Sequence, residues 1–281
     1  MIKNKKIALI GSGHGSYAAY RSLSNIFTSI DIITDDENLM AIKRVSDNLI
    51  KSIEKSKADV FVCAGYTRLI PKSRLKDKVF INTHPSLLPK YRGRHSLVWA
   101  ILNGESKVGF TIHLVNEFMD DGPIIDQYAI EYNGQTSKNI MDEFDRYIEI
   151  NLGRIIFEYM LGNIEAVNQD RSKASWVPRR NLSDCLVDFS KSIDFHKLLF
   201  KALVKPYPLP LISVKGTLYE ISKHRILEID YYANEGAVVN IENEDVYIKI
   251  NGGILIVNEL IDFKNKILYS ANLILNIGMR L

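Results

Sequence analysis

Three side chains in this sequence have the types and spacing to hold a developing negative charge and to move a proton. Asn82 and His84 follow the apolar run Val79–Ile81 and stand two residues apart. On an extended strand, side chains two apart point to the same face. An Asn amide there can donate to an oxygen that is gaining negative charge, and an imidazole beside it can give or take a proton. Asp120 comes just before the turn Asp121-Gly122-Pro123, from which a carboxylate can reach His84 and orient its ring. Taken singly, Asn-x-His at a strand end is also a turn former beside a structural histidine, and Asp-Asp-Gly-Pro is also a plain turn signal. Their occurrence together, around a specific intervening stretch, is what points to chemistry.

Other groups offer other chemistries. The run Gly11-Ser12-Gly13-His14-Gly15-Ser16 follows a first apolar stretch. Glycines there let backbone amides approach a phosphate at a helix start. The competing reading is a tight strand-to-helix turn. The spacing is GxGxG and not GxGxxG, so a dinucleotide site is poorly supported. Asp35 and Asp36 stand near where a ribose-binding acid would be, which keeps an oxidoreductase open from this end but leaves Asn82–Gln127 unexplained. Lys90, Arg92 and Arg94 are placed either to meet a diphosphate or to form a solvated basic loop. The spacing of His84, His95 and His113 fits no structural zinc pattern, so no metal is expected. His113, inside an alternating strand, reads as a hydrogen-bonded structural histidine, and His196 and His224 read as surface or interface. Cys63 and Cys185 are the only cysteines, which fits a reducing, cytoplasmic setting. Cys63 reads as a small buried hydrophobe.

The elements that must hold these residues follow from pattern. Hydrophobic residues make up 46% and charged residues 25% of the 281, which excludes wholesale disorder. The 36 basic and 33 acidic residues leave a net charge of +3, too small to advertise nucleic acid as a partner. No stretch is long and apolar enough to span a bilayer. Strands are expected at Lys6–Ile10, Ile30–Ile33, Asp59–Cys63, Val79–Ile81 and Gly109–Leu114. Helices are expected from Tyr17–Leu23, near Leu39–Lys55 after Asp35 or Asp36, and over Thr136–Met160. That helix carries Ile140, Phe144, Tyr147, Ile148 and Leu152 along one stripe. Alternating strands and helices imply an α/β fold, with an N-terminal Rossmann-like, mostly parallel sheet and flanking helices. A polar stretch, 163–190, reads as a linker after a first domain at 1–162. Residues 191–281 then read as a small β-rich, barrel-like domain. It opens on a helix at Asp194–Leu203 and carries strands at Leu211–Val214, Tyr219–His224, Gly236–Ile241, Asp245–Ile250 and Ile254–Leu260.

The stretches INTHPSLLPKYRGRHSLVWAILNGE and GFTIHLVNEFMDDGPIIDQ resemble the formyltransferase family that uses 10-formyltetrahydrofolate. The resemblance implies folate-dependent formyl transfer, with the catalytic Asn, His and Asp on Asn82, His84 and Asp120. It implies a folate-binding loop at Ala64–Ile70, with Thr67, Arg68, Leu69 and Ile70. It further implies a loop closing on the pterin at Val115–Asp120, with Val115, Asn116, Glu117 and Phe118. On the acceptor side it points to Gly11, Gly13, His14, Ser86, Lys90, Arg92, Gly93 and Arg94. Within the family the chain is most similar to the sugar N-formyltransferases, through Ser172–Arg180, Asp188-Phe189-Ser190, Ala202–Pro208 and Arg92-Gly93-Arg94-His95 with Trp99. That similarity implies a nucleotide-linked amino-deoxy sugar as acceptor, a 3- or 4-amino-dideoxyhexose on dTDP for example. It implies a place in making precursors of surface polysaccharide such as lipopolysaccharide, and a homodimer. A methionyl-tRNA formyltransferase is the alternative, and a nucleotide-sugar-binding protein on the same fold is the non-enzymatic one.

Overall fold

A computed structural model describes residues 5–34, 53, 55–70, 72–76 and 78–281. Short, almost wholly apolar runs make the strands of a first sheet: β1 (Ile7–Gly11), β2 (Ile30–Ile33), β3 (Val60–Ala64) and β4 (Val79–His84). Runs without polar alternation suit strands covered on both faces. β2, β1, β3 and β4 lie side by side and parallel. The sheet then continues with β6 (Lys107–Leu114) and β7 (Ile124–Glu131), each antiparallel to its neighbour. Phe61 and Phe80 stack in the core with ring centroids 4.8 Å apart.

Helices α1 (Gly13–Ser24), α2 (Ser96–Leu102) and α3 (Ser137–Leu161) follow β1, β4 and β7 in the chain. α3 buries Ile140, Phe144, Ile148 and Leu152 at helical spacing. Tyr147 stays half-buried, stacks on Tyr128 at 4.3 Å and donates to Asp126 at 2.6 Å. The helix expected near Leu39–Lys55, with its caps Asp35 and Asp36, lies outside the described residues. Only its Ile53, buried beside Ala8 and Phe61, and Lys55 are described.

The chain divides into two compact units. One comprises Met1–Ala100, Ser106–Tyr132 and Asn139–Arg179, and the other Ile101–Glu105, Asn133–Lys138 and Arg180–Leu281. The division falls inside the stretch 163–190, expected as a linker. Its first part is paired into the first unit: Val167 exchanges backbone bonds with Ile124, and β8 (Trp176–Val177) pairs with β5 (Arg92–Gly93).

The second unit contains α4 (Ile193–Ala202) and the strands β9 (Leu211–Val214), β10 (Thr217–Leu227), β11 (Val238–Glu242), β12 (Asp245–Ile250) and β13 (Gly253–Asp262), with β14 (Leu268–Ser270) against β13. The sheet order β11-β12-β13-β10-β9 is antiparallel throughout. Its hydrogen-bonded path ends on β11 and β9. His196, expected at the surface or an interface, is wholly buried within the chain, and His224 stacks on Phe200 at 3.7 Å.

Candidate active site

The carboxyl end of β4 carries the expected residues. Strand geometry puts Asn82 and His84 on one face, and the antiparallel register sets Asn82 directly opposite His113 on β6. Such cross-strand neighbours are close enough to bond. Asn82 Nδ2 lies 3.2 Å from His113 Nε2, and His113 Nδ1 lies 2.7 Å from the Leu114 carbonyl. A carbonyl only accepts, so His113 carries its proton on Nδ1 and its Nε2 accepts from the Asn82 amide. Burial, aided by the charge of His84 and opposed by that of Asp120, pushes the His113 imidazole down to about 4, so the ring is neutral near pH 7. One Asn82 N–H is thereby used, and the second remains to donate elsewhere.

The same reasoning assigns His84. Its Nε2 is 2.9 Å from the Tyr91 carbonyl, so that nitrogen donates. Nδ1 is then the atom that can gain or lose a proton, and it faces Asp120 Oδ2 at 3.7 Å. Asp120 Oδ2 accepts the Gly93 N–H at 2.8 Å, and its Oδ1 is 3.8 Å from His113 Nε2. An amide donor, a titratable ring nitrogen and a carboxylate thus converge at one place. This set can hold a developing oxyanion and accept a proton from a nucleophile. Among the described residues no group of three His, Cys, Asp or Glu side chains is arranged to hold a metal ion.

The loops around it are tied together. Arg94 donates to the Thr67 carbonyl, and Lys72 pairs with Glu117. Leu69 and Phe118 are 74% and 57% exposed, and Arg68 is exposed as well. Ile70 and Val115 are half-buried and pack on one side against the core cluster that contains Ile10 and Phe80. Asn116 is engaged within its own loop, accepting from the Phe118 N–H and donating to Asp121.

On the acceptor side several expectations change. Arg92 is only 3% exposed, pairs with Asp121 at 2.7 Å and donates to Gln169 at 2.6 Å, so it is neither a free phosphate ligand nor a solvated cation. Ser86 is buried, and its hydroxyl donates to the Lys90 carbonyl at 2.8 Å. Gly93 is required for packing, because a Cβ there would stand 2.2 Å from the Val177 carbonyl. Gly11 is likewise a packing glycine, since a Cβ would meet the Ala64 carbonyl at 1.7 Å. α1 begins at Gly13, so His14, Gly15 and Ser16 are helical and not part of a turn. Gly13 and His14 are exposed, and a Cβ on Gly13 would meet open space. Lys90 is exposed. A small polar cavity lies at the ends of β1 and β3, lined by Ser12, Thr34, Tyr66, Thr67 and Arg68 among others.

A model of the formyl transferase family matches residues 5–148, more than half of the chain. A methionyl-tRNA formyltransferase of Thermosipho melanesiensis is 31% identical over 225 residues, covering 74% of this chain and 70% of that one. The N-formyltransferase of Helicobacter canadensis, solved with folinic acid and dTDP-3-aminofucose, superposes with a TM-score of 0.69 at 22% identity over 90% of this chain and 98% of that one. A HypX variant from Aquifex aeolicus superposes with a TM-score of 0.70 at 18% identity over 95% of this chain, which spans 48% of the HypX chain.

Proposed function

The chain belongs to the formyl transferase family, and we propose that it formylates the amine of a nucleotide-linked amino-deoxy sugar, with 10-formyltetrahydrofolate as donor. The observation that carries the formyl-transfer reading is the convergence of Asn82, His84 and Asp120 at the end of β4. The donor supplies the carbonyl carbon. Its flat, apolar ring system with polar edges suits the exposed Leu69 and Phe118 beside the polar groups of Thr67 and Glu117.

Attack of the amine nitrogen on the formyl carbon places negative charge on the carbonyl oxygen and a surplus proton on nitrogen, and the intermediate collapses by breaking the bond from that carbon to N10 of the folate, which leaves as tetrahydrofolate carrying the proton. The second Asn82 N–H and a protonated His84 Nδ1 donate to that oxygen. Asp120 faces His84, and its carboxylate takes the amine's proton directly or through a water. Binding of the two substrates over this cluster orients nitrogen and carbon for attack.

The sugar acceptor is supported by charge. Lys197, Lys205, Lys223, Arg225 and Lys266 of the second unit are all engaged with carboxylates, which leaves them poorly placed to collect tRNA phosphates. The Helicobacter relative, with its aminofucose nucleotide, points the same way. The second reading, formylation of methionyl-tRNA, is favoured by the Thermosipho relative. Incubation with 10-formyltetrahydrofolate and a panel of nucleotide-linked amino sugars, read by mass, tests the choice. Formylation of a sugar amine is expected. Formylation of methionyl-tRNA alone, with binding that weakens steeply between about 50 and 200 mM salt, overturns the sugar reading.

A further inference from the structure

We propose that Arg171 and Gln169 are positioning residues for Asp120, an inference that rests on the reading of Asp120 as part of the reaction site. Asp120 adopts φ +50°. A non-glycine residue holds that left-handed conformation only where its surroundings enforce it. The chain on both sides of Asp120 shows how. Asp121 is buried and accepts both Nε and a terminal nitrogen of Arg171, at 3.2 and 2.6 Å, while Arg92 pairs with its Oδ1 from within the protein at 2.7 Å. Gln169 bridges the carbonyls of Asp120 and Gly122 at 2.9 and 2.8 Å, and its own oxygen accepts from Arg92 at 2.6 Å. Three consecutive residues, 120–122, are therefore held by one network of two arginines and a glutamine.

The network has a direction. Arg92 belongs to β5, whose next residue, Gly93, donates to the Asp120 carboxylate. Gln169 and Arg171 come from the far part of the chain, just before β8 pairs with β5. The peptide that carries Asp120 and the amide that fixes its carboxylate are thus registered against each other by Arg92 and closed from outside by Gln169 and Arg171. Burial opposes the charge on Asp121, and the hydrogen bonds of Arg171 and Asn116, with the charges of Arg92 and Arg171, outweigh it and hold the carboxyl below its usual range. Arg171 itself is 69% exposed. Two of its nitrogens hold Asp121, and its guanidinium lies 5.7 Å from the centre of the Phe118 ring. A displaced loop carries the Asp120 carboxylate away from His84 and from the amine. A displacement of about 1 Å at a reacting group can cost on the order of 100-fold in rate.

The test is steady-state formyl transfer by Arg171→Ala, Gln169→Ala and Arg171→Lys, with its pH profile, beside Asn82→Ala and thermal melts of each. For Arg171→Ala and Gln169→Ala the expected result is a kcat lower by about 10- to 100-fold, KM for both substrates little changed and the melting temperature near that of the unaltered protein. The pH dependence of kcat shifts as well, because Asp120 no longer faces His84 at a fixed distance. Arg171→Lys restores part of the rate, since an ammonium keeps the charge but not the paired geometry. An unchanged kcat and pH profile, or a rise in KM for one substrate with kcat intact, overturns the positioning role. If Asn82→Ala also transfers formyl at the normal rate, the site reading itself fails; if only Asn82→Ala is impaired, the positioning role alone fails.

Discussion

His113 carries its proton on the nitrogen that faces away from Asn82, and this decides what the Asn82 amide can do. With Nε2 accepting, the amide is fixed with its nitrogen toward His113, and one N–H is left for an anionic oxygen. His113→Leu removes the acceptor and frees the amide to rotate. The expected result is a kcat lower by roughly tenfold or more, as for a weakened oxyanion donor, with substrate KM values nearly unchanged. Steady-state kinetics of that variant check it. Asn82, His84 and Asp120 stand out in the sequence because their types suit oxyanion and proton chemistry and because the stretch between them resembles the formyltransferase family. His113 read as merely structural because its place in the site depends on which strand lies opposite Asn82, a pairing that spacing does not state. Arg92 read as a phosphate ligand because nothing local in KYRGR tells that its partners, Asp121 and Gln169, come from far along the chain.

Among the elements, the short β5–β8 ribbon matters most for the site. Gly93 has φ +111° and lies against the Val177 carbonyl, while its N–H holds Asp120. Gly93→Ala forces β8 away, since backbone at 2.2 Å cannot yield cheaply. The expected outcome is a destabilisation of about 1–3 kcal/mol together with a fall in kcat of at least tenfold, comparable with the loss of an oxyanion donor. Denaturant melts and kinetics on the same sample read both. The buried strands and α3 were readable from their apolar runs and stripe. β7 was not, because it is the sheet's edge strand and mixes Asp126, Gln127 and Tyr128 into an alternation that begins at a proline turn. α2, only seven residues long, lies inside the motif-bearing stretch and has too few turns to show a period. The residues 163–179 looked like a linker because their bonds go to distant backbone and charge, not to an apolar face of their own.

At the scale of the whole molecule, buried histidines set a pH limit on the fold. His113 and His224 are both pushed down to about 4 from the ordinary 6.5, chiefly by burial. Between those values the unfolded chain binds protons that the folded chain refuses. Their contribution to stability is therefore complete above the ordinary value and is lost as pH falls toward about 4. Chemical unfolding followed across this range is expected to show stability falling with pH, and His224→Phe is expected to flatten part of the slope. A slope unchanged by that substitution contradicts the assignment for His224. The central claim, however, concerns the amide, imidazole and carboxylate at the end of β4. It is tested most directly by formyl transfer from 10-formyltetrahydrofolate to a nucleotide-linked amino sugar, measured for the unaltered chain, Asn82→Ala and Asp120→Asn under one set of conditions. The unaltered chain is expected to yield the formylated amine, and each variant to be slower by a factor on the order of 100 to 1,000. Either variant working at the unaltered rate would contradict the account.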